Sequence, residues 1–268
     1  MKPHKLLALC GVLLLLASTN ACNKLRARDN LNKGVRAFSN SQYQQAVEHF
    51  KLAVELDPQL MNARLYLATA YQQQYIPGGD SPENKKIGID AIAAFENVLK
   101  VDPSNVDAMS RLGRLYFDMK DFDKAKEYQR RRIQMTPNDP EPYYWIGVID
   151  WAIAYPRAQE LRKKLNIMLP KDPSKPDILP PIPEKERKEL EEQNKPLVTE
   201  GIEALKKEVE LKPNDDAGMA YINLLYRQMA EFEADGPERA AHLKTADEWV
   251  EKALNAKKAP AASPFTGQ

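Results

Sequence analysis

Residues able to do chemistry are few and scattered. The chain has three histidines, His4, His49 and His242, and two cysteines, Cys10 and Cys22. A metal site needs several imidazole, thiolate or carboxylate groups converging on one point. His49 and His242 have no cysteine or carboxylate at ligand spacing, so no metal is expected. No glycine-rich phosphate loop, nucleophile elbow or HExxH sequence is present. No catalytic residue and no cofactor are therefore expected. The 38 Asp and Glu residues read as solvated helix faces. Arg130-Arg131-Arg132 is a dense cationic run, but successive helical residues point in different directions. It reads as part of a charged outer face rather than a phosphate patch. The formal net charge of +1 gives no pull toward nucleic acid. Aromatic surface is concentrated instead: Tyr143, Tyr144, Trp145, Trp151 and Tyr155 share one predicted helix. Such a cluster is either a recognition hot spot or packing for a neighbouring segment.

Residues 1–21 carry an address. Lys2, His4 and Lys5 form a basic start, and Leu6 to Ala17 is an apolar run too short to span a membrane. Ser18-Thr19-Asn20-Ala21-Cys22 follows, which completes the layout of an export signal. Small residues before a cysteine resemble a bacterial lipobox, with Thr19 where leucine is usual. That resemblance implies cleavage before Cys22 and a diacylglycerol on its sulfur. Thr19-Asn20-Ala21 also satisfies the small-x-small rule of ordinary secretion, and an uncleaved anchor is a third option. With Cys10 removed, Cys22 is the one remaining cysteine, so no internal disulfide can form. A lone thiol is a liability in an oxidising compartment, whereas a lipidated one is not. Two or more acyl chains, at about 0.8 kcal/mol per buried methylene, make a stable anchor. Asn23 stands where an aspartate would favour inner-membrane retention in enterobacterial lipoproteins. The expected location is the bacterial envelope, on the periplasmic face of the outer membrane, or the periplasm or exterior without the lipid.

The remaining chain reads as helices punctuated by proline. Apolar stripes recur at helical spacing: Leu31, Val35 and Phe38; Ala46, Phe50 and Ala53; Ala91, Phe95 and Val98; Ile202, Leu205 and Val209. Asp57-Pro58, Asp102-Pro103, Pro137 and Pro213 close successive segments. Ser81 before Pro82 reads as an N-cap with proline in the first turn, opening a long helix. Leu169 to Pro183 is dense in proline and favours extended backbone. A second helix is expected from Leu197 to Leu211, after a charged segment from Glu184 to Asn194.

The stretch from Val106 to Pro137 gives this punctuation a pattern. Leu112, Gly113, Tyr116, Ala125 and Pro137 resemble a tetratricopeptide repeat, a helix–turn–helix unit of about 34 residues. Small residues there let the two helices of a hairpin approach. Asp150 stands where the resemblance implies an aromatic residue, and Asn30 and Lys33 where it implies large apolar ones. Two other regions repeat each other without a gap. Tyr66, Leu67, Tyr71, Pro82, Glu83, Ala91 and Phe95 align with Tyr221, Ile222, Tyr226, Pro237, Glu238, Ala246 and Val250. The resemblance implies an all-α, right-handed α-solenoid of about five hairpins over residues 22–258. The units expected are 27–60, 61–105, 106–139, 140–215 with a proline-rich insert at 156–196, and 216–258. Residues 259–268 form a disordered tail.

In that family the first helices line a groove that holds partners. Carrying its positions over selects Asn62, Leu65, Thr69 and Gln72, then Asp107, Ser110, Arg114 and Phe117, then Tyr144, Val148 and Trp151. Amides bond extended backbone and aromatics anchor side chains. Arg111 and Arg114 lack the Lys and Asn pair of a carboxylate clamp, so capture of a C-terminus is not implied. The expected function is a protein-interaction scaffold. Its partners are other envelope proteins or extended peptide segments, and a lipid on Cys22 ties it to the membrane. The alternative is a small-ligand or glycan-binding accessory using the aromatic helix 143–155.

Overall fold

The computed structural model describes residues 3–167 and 180–258, with side chains from Ala21 onward. Most of the proline-dense run, and the tail from Ala259, lie outside the described residues. So do the side chains of the export signal. The described residues are all-α, with ten helices and no strand. They divide into two compact units, Met1–Asp121 and Phe122–Gln268.

Unit 1 holds α1 (Pro3–Ser39), α2 (Tyr43–Leu56), α3 (Met61–Gln74), α4 (Pro82–Val101) and α5 (Val106–Asp118). Each packs on its neighbour in sequence, as stacked hairpins must. α1 runs without a break from the export signal through Cys22 into the first unit, which was expected to start at residue 27. α1 and α2 cross closely at Gly34, where a Cβ would overlap the Phe50 ring. Phe50 is fully buried with Ala46, Val47, Ala37 and Ala70. Lys33, which interrupts the apolar stripe, pairs with Asp29 at 2.7 Å on the outer face.

Local side chains set the helix starts. Ser81 Oγ accepts the Asn84 N–H at 3.1 Å, and Pro82 opens the 20-residue α4. Asn84 is buried and closes the enlarged turn before it. Its amide accepts from Ile76 N–H at 2.8 Å and donates to the carbonyls of Ile76 and Gly79. Asn105 caps α5 by accepting from Ala108 N–H at 3.0 Å. Asp102 organises the preceding turn, accepting from Ser104 and Asn105. Those hydrogen bonds hold its carboxyl below the usual range.

Unit 2 holds α6 (Phe122–Met135), α7 (Glu141–Lys164), α8 (Glu184–Leu211), α9 (Asp216–Glu231) and α10 (Pro237–Lys258). Consecutive helices pack together, and α7 also reaches α9. Gly147 repeats the Gly34 device, since a Cβ on it would overlap Leu205. Leu205 lies in a core with Val198, Ile202, Ile222, Leu225 and Phe232.

Helical structure reaches further into the region of the insert than its prolines suggest. α7 continues through Pro156 to Lys164, and α8 is one helix through Pro196. An interior proline costs roughly 3 kcal/mol. Burial of Ala154, Ala158 and Leu190 in the core offsets that. Asn194, fully buried, donates to the Ala154 carbonyl at 2.9 Å and ties the two helices. Ile182 joins the same core, so the chain re-enters the fold just before α8.

Candidate functional site

Among the residues selected by resemblance, those of unit 1 form a half-exposed row on α3 and α5. Leu65, Thr69, Gln72, Ser110 and Phe117 are half-buried, while Asn62, Asp107 and Arg114 are exposed. Arg111, which the groove positions omitted, links them. Its guanidinium donates to Gln72 Oε1 at 3.0 Å and to the Asp107 carboxylate at 3.0 Å. Arg114 Nε donates to Asp118 at 3.0 and 3.2 Å. Burial still pushes the Asp118 carboxyl up, against the pull of Arg114. Thr69 turns inward locally, donating to the Leu65 carbonyl.

In unit 2 the selected residues meet an aromatic partner that the positions missed. Tyr221 on α9 lies edge-on to both Tyr144, at 5.7 Å, and Trp151, at 5.6 Å. Trp151 also stacks on Tyr155 at 5.0 Å, and Tyr144 meets Trp145 edge-on. The result is an aromatic row across two first helices. Tyr221 aligned with Tyr66 in the internal repeat, which was the available signal. Val148 is only 4% exposed, so it packs rather than presents. Trp151 Nε1 is buried without a hydrogen-bond acceptor.

Below this row lies buried charge. Asp150, at an expected aromatic position, is fully buried and accepts from Lys126 at 2.6 Å. Lys126 also donates to Glu200 at 2.7 Å, and Arg130 reaches the other Glu200 oxygen. Burial pushes the Asp150 carboxyl up to about 7, against the pull of Lys126. The arginine run is not a uniformly charged outer face. Arg132 is 2% exposed and donates to Gln129, Asp139 and Glu141, because α7 packs over that side of α6. Arg162 donates to Glu231 and to the Pro180 carbonyl, fixing the end of α7 to α9. These pairs have one role in common: they neutralise charge where hairpins stack.

Two hollows accompany them. The larger, about 850 Å³, runs along one face of α8 from Lys188 to Glu203. Its lining comes from a single helix and is mostly charged, so no groups converge there. The smaller, about 370 Å³, lies where α7, the end of α8 and the start of α9 meet. Tyr144, Trp145, Glu141, Glu208, Lys212 and Asp215 line it. Among the described residues no group of three or more acidic, His or Cys side chains is arranged to hold a metal ion. Cys22, the proposed lipid site, is exposed with a free thiol. No described helix is long and apolar enough to cross a membrane.

Comparison with known proteins agrees on the architecture. The tetratricopeptide repeat family matches residues 89–145. Hsp70-Hsp90 organizing protein 3 of Arabidopsis thaliana is 30% identical over 115 residues, covering 43% of this chain and 19% of its own. Mouse interferon-induced protein with tetratricopeptide repeats 2 is 35% identical over 57 residues, covering 21% and 12%. The chain thus spans at most about a fifth of these relatives. A crystal structure of MamA superposes with a TM-score of 0.56 at 16% identity, covering 89% of this chain and 98% of that one. YrrB, described as a tetratricopeptide repeat protein with an unusual peptide-binding site, superposes with a TM-score of 0.50 at 16% identity, covering 86% and 91%. The chain therefore has an all-α fold of the tetratricopeptide-repeat solenoid class, with the repeat itself matched at residues 89–145.

Proposed function

We propose that this chain is a non-enzymatic protein-interaction scaffold of the bacterial envelope, tethered through lipid at Cys22, that captures extended segments of partner proteins. The observation that carries the reading is a half-exposed row on first helices within each unit, taken separately. In unit 1 it is Gln72, Arg111 and Asp107, held together by hydrogen bonds. In unit 2 it is Tyr144, Tyr221 and Trp151. Prearranged polar and aromatic groups lower the ordering cost of binding, and aromatic anchors carry much of the energy. The peptide-binding site of YrrB, a protein of similar fold, is in keeping with this use.

Crosslinked pull-down from native membranes tests the reading, with wild type beside Cys22→Ala and Arg114→Glu. Wild type should recover a defined envelope assembly. Cys22→Ala should lose membrane partitioning. Arg114→Glu should lower capture about tenfold, beyond the small loss of stability expected from unpairing the half-buried Asp118 carboxylate. Capture unaffected by Arg114→Glu would move the site off α5.

The Trp151–Tyr155 stack favours a second reading, a small-ligand or glycan-binding accessory. Tyr155 is 37% exposed, and stacked rings offer an apolar face to a sugar ring. Glycan screening against wild type and Tyr155→Ala discriminates it, because only this reading expects saturable sugar binding that the variant loses.

A further inference from the structure

The smaller hollow holds a buried carboxyl group that accepts no hydrogen bond. Glu208 is 1% exposed, and neither of its oxygens receives a hydrogen bond. A buried acceptor left unmatched is expensive unless a donor arrives. The fold brings Glu208 into place by close approach: a Cβ on Gly218, in the first turn of α9, would overlap its carboxyl. Asp215 is close enough to share the Glu208 proton. Two carboxyl groups therefore lie side by side at the wall of the hollow, one of them, Asp215, holding Lys212 and the other, Glu208, receiving no donor.

The remaining walls narrow the class of ligand. Tyr144 and Trp145 supply aromatic surface beside the acids. Of the other charges present, Glu141 accepts from Arg132 at 2.7 Å, and Lys212 donates to Asp215 at 2.7 Å. Asp216 adds a further negative charge near Lys212. The two cations are thus already held by Glu141 and Asp215, leaving Glu208 as the open acceptor. Paired acids beside an indole suit a planar cation that donates several hydrogen bonds and stacks on a ring.

We propose that this hollow is a receptor for a guanidinium group, the side chain of an arginine presented by a partner polypeptide. The proposal deepens the scaffold reading and rests on it, because Tyr144 belongs both to this hollow and to the aromatic row. A volume of about 370 Å³ admits one side chain and not a folded element. Burial, the Asp215 hydrogen bond and its charge together push Glu208 up to about 8, against the pull of Lys212. In the empty hollow Glu208 is therefore mostly neutral at pH 7. An entering guanidinium stabilises the carboxylate, so binding releases up to about one proton and tightens as pH rises through that value.

Titration of the full chain with N-acetyl-arginine amide, followed by calorimetry in two buffers of different ionisation enthalpy, tests this. Saturable binding with net proton release is expected. The uncharged isostere N-acetyl-citrulline amide should bind at least tenfold more weakly. Glu208→Gln, which keeps shape and neutrality, should leave the circular dichroism unchanged, lower arginine affinity at least tenfold and abolish proton release. Equal binding of citrulline, or binding and proton release that survive Glu208→Gln, would overturn the assignment. A pentapeptide with one central arginine should bind at least as well as the free derivative. Its failure, with the derivative still binding, would overturn the polypeptide source. The probes do not touch Arg114, so failure here leaves the pull-down result independent.

Discussion

The two units solve the same packing problem with different materials. Among the described residues, unit 1 buries one amide and no charged side chain, Asn84, and every polar atom of its amide is bonded. Unit 2 buries Lys126, Arg132, Asp150, Arg162, Glu208, Glu231 and Arg239. Unit 1 is therefore held by shape, with Gly34 against Phe50 and alanines lining the crossings. Unit 2 adds electrostatic pairing to the equivalent Gly147–Leu205 contact. Buried pairs add little net stability, but removing one partner is severe. The difference teaches where specificity resides: shape sets the hairpin, and charge sets which hairpins stack in unit 2.

The largest effect should come from splitting a pair. Lys126→Met leaves Asp150 fully buried beside an apolar chain, and should destabilise unit 2 by about 3–5 kcal/mol. Lys126→Met with Asp150→Leu should recover most of that loss in urea denaturation. No recovery would mean that these groups do more than neutralise one another. The matching change in unit 1, Phe95→Ala, should also cost about 3–5 kcal/mol through a cavity. No second substitution of charge should rescue it.

Overpacking comes next. Ala91 and Ala125 are both fully buried at the small positions of their helices. Ala91→Leu and Ala125→Leu should each lower stability by about 1–3 kcal/mol, read as shifted denaturation midpoints. If the comparison holds, hydrogen exchange should place the first loss of Ala91→Leu in α3 and α4, leaving α8 and α9 protected, and that of Ala125→Leu in α6 and α7.

Titration separates the units further. The Glu208 carboxyl rises from 4.5 to about 8 on folding, and that of Asp150 from 3.8 to about 7. Both acids bind protons more tightly when folded. Their contribution is complete below their unfolded values and is lost as pH rises through about 7 and 8. Between pH 5 and pH 9 the stability of unit 2 should fall, Glu208 contributing on the order of 2 kcal/mol. Glu208→Gln should remove that share of the slope. Exchange protection in α2 to α4 should stay flat over the same range.

How much of this was legible in the sequence follows the same division. Helix count, hairpin class and the small-residue crossings follow from local spacing, because Gly34 and Ala46 act through packing that recurs every repeat. The Ser81 cap was readable because its donor is three residues away. Buried charge was not. Lys126, Asp150 and Glu200 are far apart in sequence, and each alone looks like a surface residue or an exception. Prolines misled at Pro156 and Pro196, since their cost is local while the burial that offsets it is tertiary. The groove positions include Tyr144 and Trp151 but not Tyr221, which meets both rings, nor Arg111, which bonds Gln72 and Asp107, because neither contact can be read from spacing. Glu208 carried no signal, because its setting is made by Gly218 and Asp215 across a turn.

The smallest effects sharpen the contrast most, because two caps of equal kind sit in unlike surroundings. Asn105 caps α5 through Ala108 N–H, and Asp215 caps α9 through Ala217 N–H. Loss of either cap costs about 1 kcal/mol. Asn105→Ala should show that cost at every pH. Asp215→Ala should not. Asp215 also pairs with Lys212 and holds the Glu208 proton, so its loss is felt fully at pH 5. At pH 9 the wild type carries two carboxylates facing one another, and removing one relieves repulsion. The penalty of Asp215→Ala should therefore shrink as pH rises, reaching a few tenths of a kcal/mol or less. Urea midpoints of both variants at pH 5 and pH 9 decide it. Equal penalties at both values would mean that Glu208 and Asp215 do not share a proton, and the pH dependence of unit 2 would fall to Asp150.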